Sequence, residues 1–495
     1  MKYLSTRDAS LRYDAAEAIV MGLSREGGLL TPETFPVLTR EMLEAMLPET
    51  YQQRAVKIMK LFLEDFSEEE LREFAGKAYA FGEKFDTEAV APVCHVTRGT
   101  EVLELWHGPT CAFKDMALQM LPYLLTASLR KTGEEKTACI LVATSGDTGK
   151  AALEGFRDVD RTKILVFYPR DGVSEIQKLQ MVTQQGGNVG VCAVEGNFDD
   201  AQTGVKEIFS DEVLRKELGD RGYFLSSANS INWGRILPQV VYYISAYCDL
   251  IRGGRISMGD EINFCVPTGN FGDILAGYFA KTMGLPVKKL ICASNANNVL
   301  TDFIETGVYD RNRPFYTTAS PSMDILISSN LERLLYLLSG SDAEVRGYME
   351  SLNKTGRYEI TGELKGKIQA QFAAGWCGDD DAADTIARVF GTEGYLMDTH
   401  TAVAYTVLEN YRRETGDDTL CVVLSTASPY KFCASVLEAM GTKELLPGTE
   451  IIGQLEEKTR TTAPAPLKDL AGRQVRFTET VNPGAMTDVV KGFLA

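Results

Sequence analysis

The sequence predicts an α/β protein built on a doubly wound, mostly parallel sheet, with a helical domain in front of it. Three observations carry this. From about residue 100, short apolar, β-rich runs alternate with helical stretches, as strands joined by crossover helices do. Several of these runs are apolar throughout, the pattern of parallel strands covered on both faces. Residues 1–85 instead read mostly helical, and Leu38 to Phe81 is dense in Leu, Met, Glu and Lys with apolar residues at helical spacing. A length of 495 residues suits about three domains.

Taken in order, Asp8 is placed to cap a helix running through Met21-Gly22-Leu23. The strand runs are Val102–Trp106, Ala138–Ala143, Lys163–Tyr168, Asn188–Val194, Glu261–Val266, Val287–Ala293 and Cys421–Ser425. Helices are expected from Lys114 to about Arg130, bent at Pro122, and over Ala151–Arg157 and Ile274–Met283. Residues 340–390 read as helical and charged, with Asp379-Asp380-Asp381 as a solvated turn. A short Thr/Ala/Pro linker, Thr461 to Pro466, precedes a last strand and helix.

Composition narrows the function. The chain carries 51 basic and 68 acidic residues, a net charge of −17, which argues against a nucleic-acid or anionic-membrane binder. No apolar run reaches the roughly 18 residues a bilayer span needs. The charged start, Met1-Lys2-Tyr3-Leu4-Ser5-Thr6-Arg7-Asp8, does not read as a signal peptide, so a cytoplasmic protein is expected. Ten cysteines without CxxC spacing suit buried free thiols in a reducing compartment. With three histidines and no HExxH pattern, no metal site is expected.

Three strand-to-helix junctions stand out. In the first, a strand, a Gly108-Pro109 turn and Phe113-Lys114-Asp115 put a lysine at a helix start among apolar neighbours. The helix dipole and desolvation would both lower its pKa, which suits Schiff-base chemistry. Read alone, the position is better explained as a surface lysine snorkelling past apolar side chains. The second is Thr144-Ser145-Gly146-Asp147-Thr148-Gly149-Lys150, whose amides and hydroxyls could take a carboxylate or phosphate. It fails the P-loop pattern at Thr144 and at Ala151, and a glycine turn with an N-cap explains it equally well. The third, Thr268-Gly269-Asn270-Phe271-Gly272-Asp273, is a glycine-rich loop before a helix and could cradle a phosphate. Together with the hydroxyls of Ser425-Thr426-Ala427-Ser428, these junctions are expected at one edge of one sheet. The set is more specific than any member: it could hold a phosphorylated aldehyde cofactor, an amino-acid carboxylate and a Schiff-base lysine.

His107-Gly108-Pro109-Thr110, Phe113-Lys114-Asp115, Thr144–Gly149 and Gly269–Gly272 resemble the threonine synthases of the longer bacterial and fungal type. So do Asn229-Ser230-Ile231-Asn232-Trp233-Gly234-Arg235 and Asp398-Thr399-His400-Thr401, in order along nearly the whole chain. The resemblance implies a pyridoxal-phosphate (PLP) enzyme of fold type II that makes threonine from O-phosphohomoserine and water. It implies Lys114 as the Schiff-base lysine and Gly269, Asn270, Phe271, Gly272 and Asp273 as the cofactor phosphate loop. It implies the Thr426 hydroxyl at the pyridine nitrogen, and Ser145, Gly146, Asp147 and Thr148 at the substrate carboxylate. Arg235 and Lys178 are the candidates for the substrate phosphate, with Asn232 nearby. Ser428 stands where many members have His, and Cys111 where Leu is commoner. His107 and His400 are read as structural.

The implied chemistry expels phosphate from Cγ and adds water at Cβ, with Lys114 as general base. Water excluded early and admitted late favours a closing domain. Residues 136–240 are therefore expected to be a smaller, mobile α/β domain. Residues 86–135 with 241–495 would be the large cofactor domain, and 1–85 the helical N-terminal domain. A phospho-lyase that releases phosphate and a 2-keto acid would use the same lysine and loops and is the rival reading. The expected partner is the small-molecule substrate, with the protein a monomer or weak homodimer.

Overall fold

Two parallel sheets, joined by one long buried helix, organise the computed structural model, which describes residues 1–170 and 173–495. The larger sheet has six strands in the order Phe372–Trp376, Val287–Ser294, Ile262–Pro267, Cys421–Ser425, Thr100–Glu104 and Val93–Thr97. All its pairings are parallel except the last, between Val93–Thr97 and Thr100–Glu104. The smaller sheet is wholly parallel, in the order Thr480–Val481, Val189–Val194, Thr162–Pro169, Thr137–Ala143 and Tyr223–Ser226. The strands Ile262–Pro267, Cys421–Ser425 and Val189–Val194 are buried at every position, which is why they read as largely apolar runs without alternation.

Helix Trp233–Arg252 leaves the smaller sheet and leads into the larger one. It is buried on nearly every side, as a helix enclosed between layers is. The Trp233 ring packs on Tyr3, Phe62 and Phe279 at centroid separations of 5.2, 5.7 and 5.7 Å. The N-terminal segment grips this helix with a buried charge. Arg54, on helix Tyr51–Phe62, donates to Ser245 Oγ and Asp249 Oδ1, both at 2.8 Å. Its Nε and Nη2 donate to the carbonyls of Met46 and Leu47, so each nitrogen of the buried guanidinium has a partner.

Several expectations are corrected. The junction loops come from two sheets, because Thr137–Ala143 and Thr100–Glu104 belong to different ones. Continuous apolar runs look alike in either sheet, so the sequence pattern could not separate them. The C-terminal strand Thr480–Val481 and helix Met486–Phe493 join the smaller sheet rather than the large domain: Phe493 lies over Gly190, and Met486 over Gly204. Residues 1–85 are not purely helical, since Arg12–Tyr13, Tyr3–Ser5 and Leu30–Pro32 form an antiparallel sheet.

Asp8 caps no helix. It closes its own turn by accepting from the Ser10 N–H at 3.0 Å, and Asp14 precedes helix Ala15–Met21 instead. The helix after Lys114 is two helices, Asp115–Leu118 and Leu121–Thr132. Pro122 sits in the first turn of the second, where its missing N–H costs nothing. Residues 372–376 form an edge strand of the larger sheet. Asp379-Asp380-Asp381 is the first turn of helix Asp379–Glu393, where the helix dipole favours carboxylates. Nine of the ten cysteines are buried as free thiols, and no helix among the described residues is long and apolar enough to cross a membrane.

Candidate active site

Lys114 is placed by a tight turn after strand Thr100–Glu104. The Thr110 N–H and hydroxyl both donate to Asp115 at 2.8 Å. A Cβ on Gly108 would come within 2.6 Å of that carboxylate, so the turn closes only with glycine there. Phe113 N–H donates to the Thr426 carbonyl at 2.8 Å, which ties the lysine to the end of strand Cys421–Ser425. Lys114 is 9% exposed, with Nζ 3.4 Å from Ser322 Oγ, 4.0 Å from Asp147 Oδ2 and 4.8 Å from the Phe113 ring centre. Burial lowers its pKa. Asp147 opposes that, while Lys431 and Arg235 add to it. The helix that follows has only four residues, so burial rather than a macrodipole is the cause.

The second loop opens helix Asp147–Phe156 of the smaller sheet. Thr144 Oγ1 accepts from Gly146 N–H at 3.0 Å and Gly149 N–H at 2.9 Å, which folds the loop over. The N–H groups of Ser145, Asp147 and Thr148 bond nothing among the described residues. They form an anion cradle at a helix start. Gly146 has φ 141°, and a Cβ there would meet Gln177 at 2.5 Å. The Asp147 side chain is no part of the cradle: its Oδ1 accepts from Lys431 Nζ at 2.7 Å and from Gln177 Nε2 at 2.8 Å. Burial would raise its carboxyl pKa, but Lys431 and Lys114 outweigh burial and hold it well below the usual carboxylate range.

The third loop, between strand Ile262–Pro267 and helix Gly272–Thr282, is a second cradle. The N–H groups of Gly269, Asn270, Phe271 and Gly272 have no partner among the described residues. A Cβ on Gly269 would stand 2.6 Å from the Ser322 carbonyl. Phe271 holds a left-handed backbone, φ 63°, with its ring buried against Phe372. Asn330 secures the loop by donating its N–H and Nδ2 to the Asn270 carbonyl, both at 3.1 Å. Arg333 in turn bonds Asn330 Oδ1 and the carbonyls of Leu30 and Ile231. The N-terminal segment therefore braces this cradle. Asp273 is buried and its carboxyl is pushed up to about 6.

Arg235 lies in the first turn of helix Trp233–Arg252 and is buried. It donates to the Ala228 carbonyl at 2.5 Å, its Nε has no partner, and it meets no carboxylate among the described residues. Burial drops its pKa to about 10. Thr426 is buried, and its hydroxyl is unpaired among the described residues.

Two expected residues have other surroundings or contacts. Lys178 is exposed on helix Glu175–Val182, and its amine makes no hydrogen bond or ion pair among the described residues; Gln177 beside it is the one that reaches inward. Asn232 is a cap and a strut: Oδ1 accepts from Gly234 N–H at 2.8 Å and Nδ2 donates to the Ile19 carbonyl at 3.0 Å. Each end makes one bond, and these two contacts fix the side chain between the helix and the N-terminal segment.

The histidines are fixed by carboxylates. His107 bridges Asp86 at 2.6 Å and Glu104 at 2.9 Å; burial lowers its pKa, but the two acids raise it to about 9. His400 Nε2 accepts from the Ser322 N–H, and Nδ1 faces Asp398 at 2.6 Å. Ser428 accepts from Tyr430 N–H and caps the short turn Pro429–Lys431. Sequence reasoning missed Lys431, Gln177 and Ser322. The one available signal was a lysine, Tyr430-Lys431-Phe432, shortly after the end of a buried strand.

The arrangement is a buried amine between two amide cradles, with a buried guanidinium that meets no carboxylate among the described residues. Residues 2–79 match the family described as threonine synthase N terminus, 102–356 that of pyridoxal-phosphate dependent enzymes, and 401–493 the threonine synthase C-terminal family. Human threonine synthase-like 1 is 42% identical over 442 residues, which cover 87% of this chain; the chain spans 58% of that relative's length. Threonine synthase of Pseudomonas aeruginosa is 38% identical over 441 residues, covering 89% of this chain and 90% of that protein. The PLP-bound threonine synthase of Brucella melitensis superposes with a TM-score of 0.87 at 38% identity, over 100% of this chain and 99% of that one.

Proposed function

The chain belongs to the threonine synthase family of pyridoxal-phosphate-dependent enzymes, and on that premise we propose that it converts O-phospho-L-homoserine and water to L-threonine and phosphate. The observation that carries the reading is Lys114, buried and deprotonation-prone between two loops whose amides are free. The site fits the cofactor. The Gly269–Gly272 cradle suits a phosphate and admits no Cβ at Gly269, and the buried Thr426 hydroxyl is free to meet a ring nitrogen. When bound, pyridoxal phosphate would supply an electron sink for the electron pair left when the substrate's Cα loses its proton.

This chain's residues then have distinct work. Lys114 Nζ takes the Cα proton, because burial favours its neutral form. The free amides of Ser145, Asp147 and Thr148 hold the substrate carboxylate through backbone N–H groups. Arg235 stabilises charge growing on the departing phosphate, in a site where water does not screen it. Lys178 can assist only if the smaller domain moves, since its side chain is exposed here. That domain comprises residues 136–240 together with the C-terminal strand and helix, and its closure would exclude water during phosphate loss. A substrate analogue should therefore shrink the radius of gyration in small-angle scattering; identical curves with and without it would rule closure out.

The deciding experiment mixes protein, cofactor and O-phosphohomoserine and follows phosphate and threonine together. Equal release of the two is expected. Phosphate accompanied by 2-oxobutyrate, without threonine, would replace the synthase reading with phosphate elimination.

A further inference from the structure

Lys431 is a fully buried lysine to which neither the motifs nor the reaction gave a role. It lies in the turn Pro429–Lys431, after a strand of the larger sheet, and crosses to Asp147 at the head of a helix of the smaller sheet. Its Nζ lies 2.7 Å from Asp147 Oδ1 and 2.9 Å from the Thr110 carbonyl. Lys114 Nζ stands farther off, 4.0 Å from Asp147 Oδ2. Two buried lysines thus compete for one buried carboxylate, and Lys431 holds the close position. Were it absent, Lys114 would be the nearest cation to a desolvated anion. A buried carboxylate without a close counter-charge is costly, so Asp147 would draw Lys114 in and stabilise its proton.

We propose that Lys431 is a positioning residue: it occupies Asp147, so that Lys114 has no carboxylate within hydrogen-bond distance and its amine stays free to meet the cofactor aldehyde. The other charged groups facing Lys114 are Arg235 and Asp273, and Asp115 faces Lys431. Arg235 favours loss of the Lys114 proton and Asp273 its retention; neither changes when Lys431 is replaced. The same pair joins the two sheets, so the arrangement at Lys114 depends on how the sheets meet.

The inference rests on Lys114 being the cofactor lysine, but its test needs neither cofactor nor substrate. The full chain, freed of cofactor, is treated briefly with acetic anhydride across a pH series. Acetylation of Lys114 is then read by peptide mass spectrometry. In Lys431→Met the pH of half-labelling should rise by about one unit or more. In Lys431→Arg it should stay with the wild type, because the charge remains. In Asp147→Asn it should fall, since Lys431 and Arg235 then face only the weaker opposition of Asp273. An unmoved or lowered value in Lys431→Met overturns the proposal. If that variant does not fold, a value that fails to fall in Asp147→Asn overturns it. Failure of the cofactor-lysine reading would appear elsewhere, as surviving turnover in Lys114→Ala.

Discussion

Alanine at Lys114 is expected to lower steady turnover by at least about 10³-fold, with the protein still folded. The side chain makes only a long 3.4 Å hydrogen bond to Ser322 and no ion pair closer than 4.0 Å, so little of the fold depends on it. The substitution removes a desolvated amine together with three buried methylenes, so the lost packing is offset by the relief of a buried polar group. Thermal melting of the variant should therefore stay near that of the wild type. Borohydride should fix the cofactor to the wild-type chain, as a mass increment on the peptide containing Lys114, and should fix none to the variant. A variant that keeps a tenth of wild-type kcat, or still gains the mass increment, would remove Lys114 from the mechanism. Loss of turnover together with loss of the melting transition would mean misfolding, and Lys114→Gln, closer in length, would then carry the test.

Why Lys114 was legible in the sequence, and Lys431 was not, is a matter of where each partner lies. Read alone, Lys114 suits a surface lysine; it stood out only in combination with the two glycine loops and the motifs around them, all of which are local sequence patterns. The significance of Lys431 comes from Asp147, a residue of the other sheet, and no local pattern links them. The two cradles were legible because close backbone approach needs glycine, as the 2.6 Å clash at Gly269 shows. Asn232 was only partly legible: an Asn before a helix serves as a cap as readily as a ligand, and its Gly234 and Ile19 contacts show the capping role. Strand Phe372-Ala373-Ala374-Gly375-Trp376 was hidden by its weak β-propensity. Pairing with Val287–Ser294 imposes the strand, with Gly375 packed under Val407. The division into two sheets was illegible because both use the same apolar runs and crossover helices.

Methionine at Arg235 should make the ligand-free protein more stable and the enzyme much worse. Three features make this guanidinium costly in the absence of ligand. It is 3% exposed, it faces no carboxylate among the described residues, and it lies in the first turn of a helix, where the dipole repels a cation. Its one hydrogen bond, to the Ala228 carbonyl, and its orphaned Nε do not offset that. A methionine of similar reach keeps the packing and removes the charge, so urea unfolding of the ligand-free variant should show a gain of about 1–2 kcal/mol. Charge-assisted bonds to a leaving phosphate are each worth about 1.5–3 kcal/mol, so kcat/KM should fall by about 10²-fold or more. Inorganic phosphate should raise the melting temperature of the wild type but not of Arg235→Met, because only a group that binds the folded state stabilises it. A structural role would give the reverse: lower stability, retained turnover and an unchanged response to phosphate. The argument turns on sign, since a buried charge that destabilises its own fold is retained only where an anion arrives to compensate it.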